Sequence, residues 1–374
     1  MSSLPATCKA AALVEISRPL EIIDVKLPET LEYGAILVKT TMASICASDV
    51  HAWQGEMASA STAGLPRILG HEMVGRVVQL GPGVTHDAVG QPLREGDRII
   101  WTHGFCGQCY YCTVEHEPTL CVNRRGYMAN RCTEYPYLTG GFAEYCYVYP
   151  SSGRIKVPDE VPNELASAAA CALRTVVHGF DRLGRLEDRH SVAVQGSGPL
   201  GLFAVAMAVH AGASTIIAIG GPSHRLEVAR RWGATHTLDV GEVPAAVQRQ
   251  QQILAWTDGQ GPDVVIEVSG ARTAVPEGLA MIRRGGRYLV IGQIGDHEVT
   301  LKPGDLVRKH IRLIGTLSAS VVHYYKALQF LKHNRDRFAF MDLISNHYPL
   351  QRINEAMERM RTWQEVKPAL TFVP

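Results

Sequence analysis

Residues 191–201 read SVAVQGSGPLG, a short apolar strand that runs into three glycines with the spacing G-x-G-x-x-G. An apolar helix follows, from Leu200 to His210. In this context Gly196 permits a tight turn, Gly198 lets a pyrophosphate approach the backbone, and Gly201 allows close packing of helix and strand. Free N–H groups at the helix N-terminus favour phosphate. The run therefore predicts a dinucleotide site, with an ordinary glycine-rich turn as the alternative. The predicted cofactor contacts in this turn are Gly196, Ser197, Gly198, Pro199, Leu200 and Gly201.

Strand and helix patterns alternate on both sides of this turn, which predicts an α/β fold whose parallel sheet has helices on both faces. The predicted strands are Ser191–Gln195, Thr215–Ile219, Val264–Val268 and Tyr288–Ile291, and a second helix spans His224–Trp232. The chain before about Val157 is rich in short β-type runs punctuated by Gly and Pro. The tail from about Ser318 holds a helix, Ile353–Arg361, and a strand, Ala369–Val373. Periodicity leaves open whether this tail is a separate lobe or completes the first domain.

The end of the second strand lacks an acid. An Asp or Glu there usually binds the adenosine ribose and repels a 2′-phosphate. Here the strand runs into Gly220, and Ser223, His224 and Arg225 follow, so these four residues are predicted cofactor contacts that permit NADP. We favour NADP slightly over NAD. The alternative is that Arg225 only begins a solvated helix face and NAD still binds.

Four cysteines lie within a short segment, with the spacing Cys106-x2-Cys109-x2-Cys112-x8-Cys121. Zinc at a structural site takes four soft ligands in a tetrahedron, and one loop with this spacing can supply them. Two disulfides are the alternative, which a reducing compartment disfavours. We predict a structural zinc here, with no open coordination position.

A second, dispersed set consists of Cys46, His71 and Cys171. A catalytic zinc takes three protein ligands and keeps one position open, and two thiolates with one imidazole meet that need. Taken singly, these residues also have simpler interpretations. Cys171 could be a small buried residue in a helix, and His71 could be a core histidine. Spacing alone does not unite the three.

The composition limits the class of protein. A chain of 374 residues is too long for one core and suits two domains. A net charge of +1 argues against nucleic acid as a partner, and no apolar run is long enough to span a membrane. The first residues, 1–12, do not resemble a signal peptide, so we predict a cytoplasmic protein.

Taken together, these motifs resemble the zinc-containing medium-chain dehydrogenase/reductase family, typified by alcohol dehydrogenase. The matching segments follow the family's order over nearly the whole chain: Cys46–His51, Gly70-His71-Glu72, the four cysteines, residues 140–145 (GGFAEY), Cys171-x3-Thr175 and the Gly196 turn. The resemblance implies a GroES-like β-barrel catalytic domain, residues 1–165 and 316–374, which the tail completes. A Rossmann doubly wound parallel-sheet domain, residues 166–315, would lie between, with the active site in the cleft.

The resemblance also implies residue roles. Cys46, His71 and Cys171 would hold one catalytic zinc, in addition to the structural zinc of the same subunit. Glu72 would lie near the metal, and Asp49 would orient the His71 ring. Ser48 would take the proton of a zinc-polarised alcohol and pass it through the cofactor ribose to His51, while hydride passes to NAD(P). Local roles are the alternatives for these two: a turn hydrogen bond for Ser48 and a surface position for His51. Lys367 would lie near the cofactor pyrophosphate.

The predicted function is thus zinc-dependent, reversible oxidation of an alcohol to an aldehyde or ketone. The partners would be a small alcohol or carbonyl substrate and further copies of the chain, as a dimer or tetramer. Two alternatives are a zinc-free enone or quinone reductase and a non-catalytic nucleotide-binding protein. The sequence departs from the family in the last spacing of the cysteine segment, in a long loop over residues 85–95 and in the missing acid.

Overall fold

The computed structural model describes residues 4–56, 64–295 and 297–372. Its strands are β1 (Thr7–Leu13), β2 (Glu21–Lys26), β3 (Ile36–Ser44), β4 (Arg67–Ile68), β5 (Met73–Leu80), β6 (Arg98–Gly104), β7 (Tyr145–Val148), β8 (Ser152–Lys156), β9 (Ser191–Gln195), β10 (Thr215–Gly220), β11 (His236–Asp239), β12 (Val264–Glu267), β13 (Arg287–Val290), β14 (Arg312–Gly315), β15 (His347–Pro349) and β16 (Ala369–Thr371). Its helices are α1 (Ala47–Gln54), α2 (Tyr110–Thr113), α3 (Asn163–Ala168), α4 (Arg174–Leu183), α5 (Pro199–His210), α6 (Ser223–Arg231), α7 (Ala246–Ala255), α8 (Ala274–Met281), α9 (Pro303–Lys309), α10 (Val321–Asn334) and α11 (Ile353–Arg361).

The chain forms two compact units. The first contains the residues up to Arg174, Ala319–His333 and the residues from Ile344 onward. The second contains Thr175–Ser318 and Asn334–Leu343. These divisions differ from the predicted boundaries, because Cys171 lies in the first unit and residues 334–343 lie in the second.

The second unit is built on a six-stranded sheet with the order β11-β10-β9-β12-β13-β14, in which all neighbours are parallel. Chain order reverses beside β9, the arrangement of a Rossmann domain. The apolar runs of β9 and β12 are fully buried, as strands covered by helices on both faces must be. The predicted α/β fold class is confirmed.

The glycine turn joins β9 to α5. Gly196 has φ +125°, a backbone conformation that side chains disfavour. A Cβ on Gly201 would overlap the carbonyl oxygen of Gly196, so only glycine lets α5 start this close to β9. Helix α5 begins with Pro199 in its first turn and is buried over most of its length.

The first unit contains a seven-stranded sheet with the order β15-β16-β3-β5-β6-β8, in which β7 also pairs with β3, and a three-stranded sheet with the order β2-β1-β4. Strand β16 pairs antiparallel with β3, with Leu370 opposite Ala43. The tail thus completes the first unit rather than forming a separate lobe. Val373, the predicted end of the last strand, lies outside the described residues. Across the described ranges, no helix combines the length and apolarity that a membrane span requires.

Candidate active site

Cys46 is placed by the junction between β3 and α1. The strand ends at Ser44, and Cys46 is the N-cap of the helix, with extended backbone angles. The N–H of Cys46 donates to Asp49 Oδ2 over 2.8 Å, which satisfies a backbone donor at the start of the helix. This junction fixes the thiol at the edge of the sheet.

Asp49 is fully buried in α1 and connects this helix to the segment that carries His71. Its Oδ1 accepts from the backbone N–H of Gly70 and lies 3.2 Å from His71 Nδ1. Because Nδ1 of His71 is engaged by this carboxylate, Nε2 is the nitrogen left to bind a metal. This is the contact that the family resemblance implied for Asp49.

Cys171 comes from a distortion in a helix. The helical segment that contains Cys171 consists of α3, then a π-helical turn at Ala169–Leu173, then α4. A π turn carries more residues than an α turn, which changes the direction in which a side chain points, and such turns occur often at functional sites. Cys171 lies in the middle of that turn.

The ligand atoms of Cys46, His71, Glu72 and Cys171 all lie within 4.8 Å of one another. The structure therefore brings together the three predicted zinc ligands, which lie far apart in sequence, and Glu72, the neighbour of His71. Two sulfurs and an imidazole nitrogen are the donors that zinc prefers at a catalytic site.

Glu72 is fully buried, and its two oxygens have different surroundings. Oε2 accepts from the Ser44 hydroxyl over 2.7 Å and pairs with the ammonium of Lys367. Within the described part of the chain, Oε1 has no hydrogen-bond partner. An unpartnered carboxylate oxygen buried among thiols is costly unless a cation binds there, so the residues present fit a zinc ion.

The ionisation of these groups reflects their burial and mutual contact. Burial raises the pKa of Glu72 to about 7, against the opposing charge of Lys367. The contact with Cys171, followed by burial, raises the pKa of Cys46 to about 12. Burial lowers the pKa of His71, but Asp49 and Cys46 outweigh it, so that the pKa is well above the ordinary value. Bound metal would favour the thiolates and the neutral ring.

Lys367 was predicted to lie near the cofactor pyrophosphate. Its side chain is 1% exposed and its ammonium pairs with Glu72. The contact with the pyrophosphate stays a prediction, whereas the contact with the metal-site carboxylate was not predicted.

Ser48 and His51 lie one turn apart on α1. The Ser48 hydroxyl is 3.4 Å from His71 Nε2, which places it beside the predicted metal position. His51 is exposed, and its Nδ1 lies 2.7 Å from Glu56 Oε2. Residues three apart are neighbours on a helix surface, so Ser48, beside the metal ligands, and the exposed His51 lie on the same side of α1.

Three residues of the site were missed by sequence reasoning. Ser167 lies 2.7 Å from the Ser44 hydroxyl and donates to the backbone carbonyl of Glu72. Met128, whose φ is +67°, places its sulfur 3.0 Å from His71 Nδ1. Buried serines and a methionine carry no spacing signal, and only the fold brings Ser44, Ser167 and Met128 to the metal ligands.

The second predicted metal site is formed by four cysteines from one short segment of the chain, residues 106–121. The sulfurs of Cys106, Cys109, Cys112 and Cys121 lie within 4.8 Å of one another, around α2. Backbone N–H groups, that of Gln108 foremost, lower the pKa of Cys106 to about 6. Four thiols in a cluster fit a closed structural zinc site.

The predicted cofactor turn offers a phosphate site at the N-terminus of α5. Gly198 is the N-cap, no acidic residue lies in the first turn, and a Cβ built on Gly198 would meet no atom within 4 Å. This open space above free N–H groups fits a pyrophosphate. At the next strand, Ser223 and His224 are exposed, but Arg225 is buried and does not begin a solvated face.

Comparison with known proteins is consistent with this geometry. Residues 32–159 match the alcohol dehydrogenase GroES-like domain, and residues 199–333 match the zinc-binding dehydrogenase domain. The chain is 33% identical to 5-exo-hydroxycamphor dehydrogenase of Pseudomonas putida over 97% of this chain and 98% of that protein. It is 31% identical to an alcohol dehydrogenase of Geobacillus stearothermophilus, over 94% and 96%. An alcohol dehydrogenase structure from Thermotoga maritima superposes with a TM-score of 0.91 at 34% identity, over 99% and 100% of the two chains.

Proposed function

The chain belongs to the zinc-containing medium-chain alcohol dehydrogenase family, and from that premise we propose that it oxidises an alcohol to an aldehyde or ketone with NAD(P) as hydride acceptor. It is a zinc-dependent, NAD(P)-linked dehydrogenase. The observation that carries the proposal is the convergence of Cys46, His71, Glu72 and Cys171 within 4.8 Å. A non-catalytic nucleotide-binding protein would not need this site, nor would a zinc-free reductase.

In the proposed reaction, Cys46, His71 and Cys171 would hold the catalytic zinc. Zinc held there would supply the Lewis acidity that lowers the pKa of an alcohol, and a bound nicotinamide dinucleotide would supply the hydride acceptor. Asp49 keeps the His71 ring in the tautomer that frees Nε2. The carboxylate of Glu72 lies beside the ligand atoms and, paired with Lys367, contributes to the local charge balance.

The proton of the alcohol needs a path out of this site. Ser48, beside His71 Nε2, is positioned to accept it. His51, exposed and with its Nδ1 2.7 Å from Glu56 Oε2, is positioned to release it to solvent. The reverse transfer serves reduction of the carbonyl.

The structural zinc would be held by Cys106, Cys109, Cys112 and Cys121. The cofactor would contact the glycine turn at residues 196–201 and the end of β10. A cytoplasmic location and a dimer or tetramer remain predictions.

Substitution of Cys46 tests the proposal. Cys46→Ala should lose alcohol oxidation and one of about two zinc ions per chain, while the four-cysteine site keeps its metal. The wild-type chain should be screened with NAD and NADP against simple primary and secondary alcohols, polyols and bicyclic secondary alcohols. The last class is included because the Pseudomonas putida relative is a hydroxycamphor dehydrogenase. Full activity of Cys46→Ala would overturn the mechanism.

A further inference from the structure

The end of β10 has no room for the acid that would normally bind the adenosine ribose. Gly220 occupies the last position of the strand, and a Cβ built there would overlap the hydroxyl of Ser197. That hydroxyl donates to the carbonyl of Gly221 over 2.9 Å and lies 3.0 Å from its N–H. Ser197 thus fixes the turn after β10 and excludes a side chain at position 220.

A carboxylate reaches the same turn from the neighbouring strand. Asp239 ends β11 and lies opposite Gly220 in the parallel register. Its Oδ1 accepts from the N–H of Gly241 over 2.8 Å and lies 3.3 Å from the position that a Cβ of Gly221 would take. Asp239 is partly exposed, and the absence of a side chain at Gly221 leaves space beside its carboxylate.

The positive charge near this turn, that of Arg225, is largely shielded from solvent. Arg225 is only 7% exposed and lies within α6, and its burial lowers its pKa. Ser223 and His224 are exposed but carry no permanent charge. At the carboxyl edge of the sheet, where a dinucleotide binds, the charge displayed beside the glycines is therefore that of Asp239.

We propose that Asp239 takes the role of the missing acid: it accepts hydrogen bonds from the adenosine ribose hydroxyls and disfavours a 2′-phosphate, so that the enzyme prefers NAD(H) to NADP(H). The inference rests on the proposed function, since it requires a nicotinamide dinucleotide at this edge. It reverses the preference for NADP that the absence of an acid at position 220 suggested. The specificity determinant lies on β11 instead of β10.

The test is binding of NADH and NADPH to the zinc-loaded full chain, measured by fluorescence or calorimetry. Wild type should bind NADH at least about tenfold more tightly than NADPH, as expected for two negative groups a few ångströms apart. Asp239→Asn keeps an acceptor for Gly241 N–H but removes the charge, and should shift the ratio of dissociation constants toward NADPH by about tenfold. Glu242→Gln removes an exposed charge three positions further along the chain, and should leave the ratio unchanged.

The outcomes separate this inference from the proposed function. Tighter binding of NADPH by wild type, or an unchanged ratio in Asp239→Asn, would overturn the role of Asp239 and leave the dehydrogenase assignment standing. A ratio that moves equally in Glu242→Gln would also overturn it, since the effect would then be one of general charge. Absence of binding of either nucleotide would contradict the proposed function itself.

Discussion

The hydroxyl of Ser44, at the end of β3, lies 2.7 Å from Oε2 of Glu72, and both side chains are fully buried. Together with Lys367, Ser44 engages Oε2 of the carboxylate, whereas Oε1 has no hydrogen-bond partner among the described residues. Ser167 supports this arrangement, since its hydroxyl contacts that of Ser44 and donates to the Glu72 carbonyl. The orientation of Glu72 is therefore set by groups outside the ligand set.

Loss of the Ser44 hydroxyl should loosen the catalytic metal. In Ser44→Ala, the carboxylate of Glu72 keeps Lys367 but loses the donor that fixes its rotation, and outer groups of this kind affect metal affinity by about tenfold or more. We expect release of the catalytic zinc to a chelator to be about tenfold faster, with the four-cysteine zinc unchanged.

Thr40→Val is the matched control, because Thr40 lies on the same strand and its buried hydroxyl has no hydrogen-bond partner in the described residues. Zinc release should match that of wild type. Equal release rates in Ser44→Ala and Thr40→Val would contradict the positioning role of Ser44.

Two glycines of the cofactor turn should respond differently to alanine. Gly198→Ala meets no protein atom within 4 Å, so the fold should keep its thermal midpoint, whereas the methyl group occupies the space for the pyrophosphate. The dissociation constant for NADH should rise at least about tenfold, or about 1.4 kcal/mol. Gly201→Ala would overlap the Gly196 carbonyl and should destabilise the fold by about 2 kcal/mol. Calorimetric melting and NADH titration distinguish the two effects. A lowered thermal midpoint in Gly198→Ala would contradict the assignment of Gly198 to cofactor binding alone.

The part of the molecule that could be predicted from sequence depends on local patterns. The Rossmann strands β9, β10 and β12 are short apolar runs next to helices, and the four cysteines lie within one loop, so neighbouring residues suffice to identify them. In the catalytic site, Cys46 and Cys171 are joined only by tertiary structure. Their union was predicted through family order, not through spacing.

The remaining features of the site depend on tertiary contacts that neither hydrophobic periodicity nor residue spacing reveals. The five residues Ala169–Leu173 look like ordinary helix, and only packing turns them into a π turn that aims Cys171. Ser167 contacts Ser44 across 123 positions of chain. Asp239 becomes relevant to the cofactor only because β10 and β11 align it with Gly220.

Removal of one thiol from the four-cysteine site should release its zinc without removing the catalytic one. In Cys109→Ser, the hard hydroxyl is a poor replacement for a thiolate, so the metal content should fall from about two to about one per chain. The thermal midpoint should fall, because metal binding contributes to folding. Metal analysis and calorimetry check this, and unchanged zinc content would contradict the assignment. Cys132→Ser, a buried cysteine outside both sites, controls for loss of a thiol alone.

His51 should contribute to proton release in a pH-dependent way. In His51→Gln we expect kcat at neutral pH to fall about tenfold, less than the roughly 10² to 10⁴ of a directly acting acid or base, because water reaches this exposed position. The rate should recover as pH rises and hydroxide takes the proton. His86→Gln, also exposed but bound to Thr85, should leave the pH profile of kcat unchanged. A uniform decrease at all pH values would argue against a proton-transfer role.

Glu365 should stabilise the first unit in a way that is lost in acid. Its buried carboxylate accepts from Tyr348 over 2.5 Å, from Arg359 over 2.8 Å and from Asn346 over 2.9 Å. Burial raises the pKa of Glu365, but the hydrogen bonds from Tyr348, Arg359 and Asn346 outweigh it, so that the pKa is lowered. A carboxyl with a lowered pKa stabilises the fold above its unfolded-state pKa and loses that contribution as pH falls through the folded-state value.

The stability difference between wild type and Glu365→Gln should therefore be largest at neutral pH, at about 2 kcal/mol, and should shrink below about pH 4. Denaturant unfolding at several pH values measures it. Glu358→Gln removes an exposed carboxylate paired with Arg361 and should change stability by less than about 0.5 kcal/mol at any pH. A difference that grew on acidification would show that the neutral form of Glu365, not its charge, is what these donors stabilise.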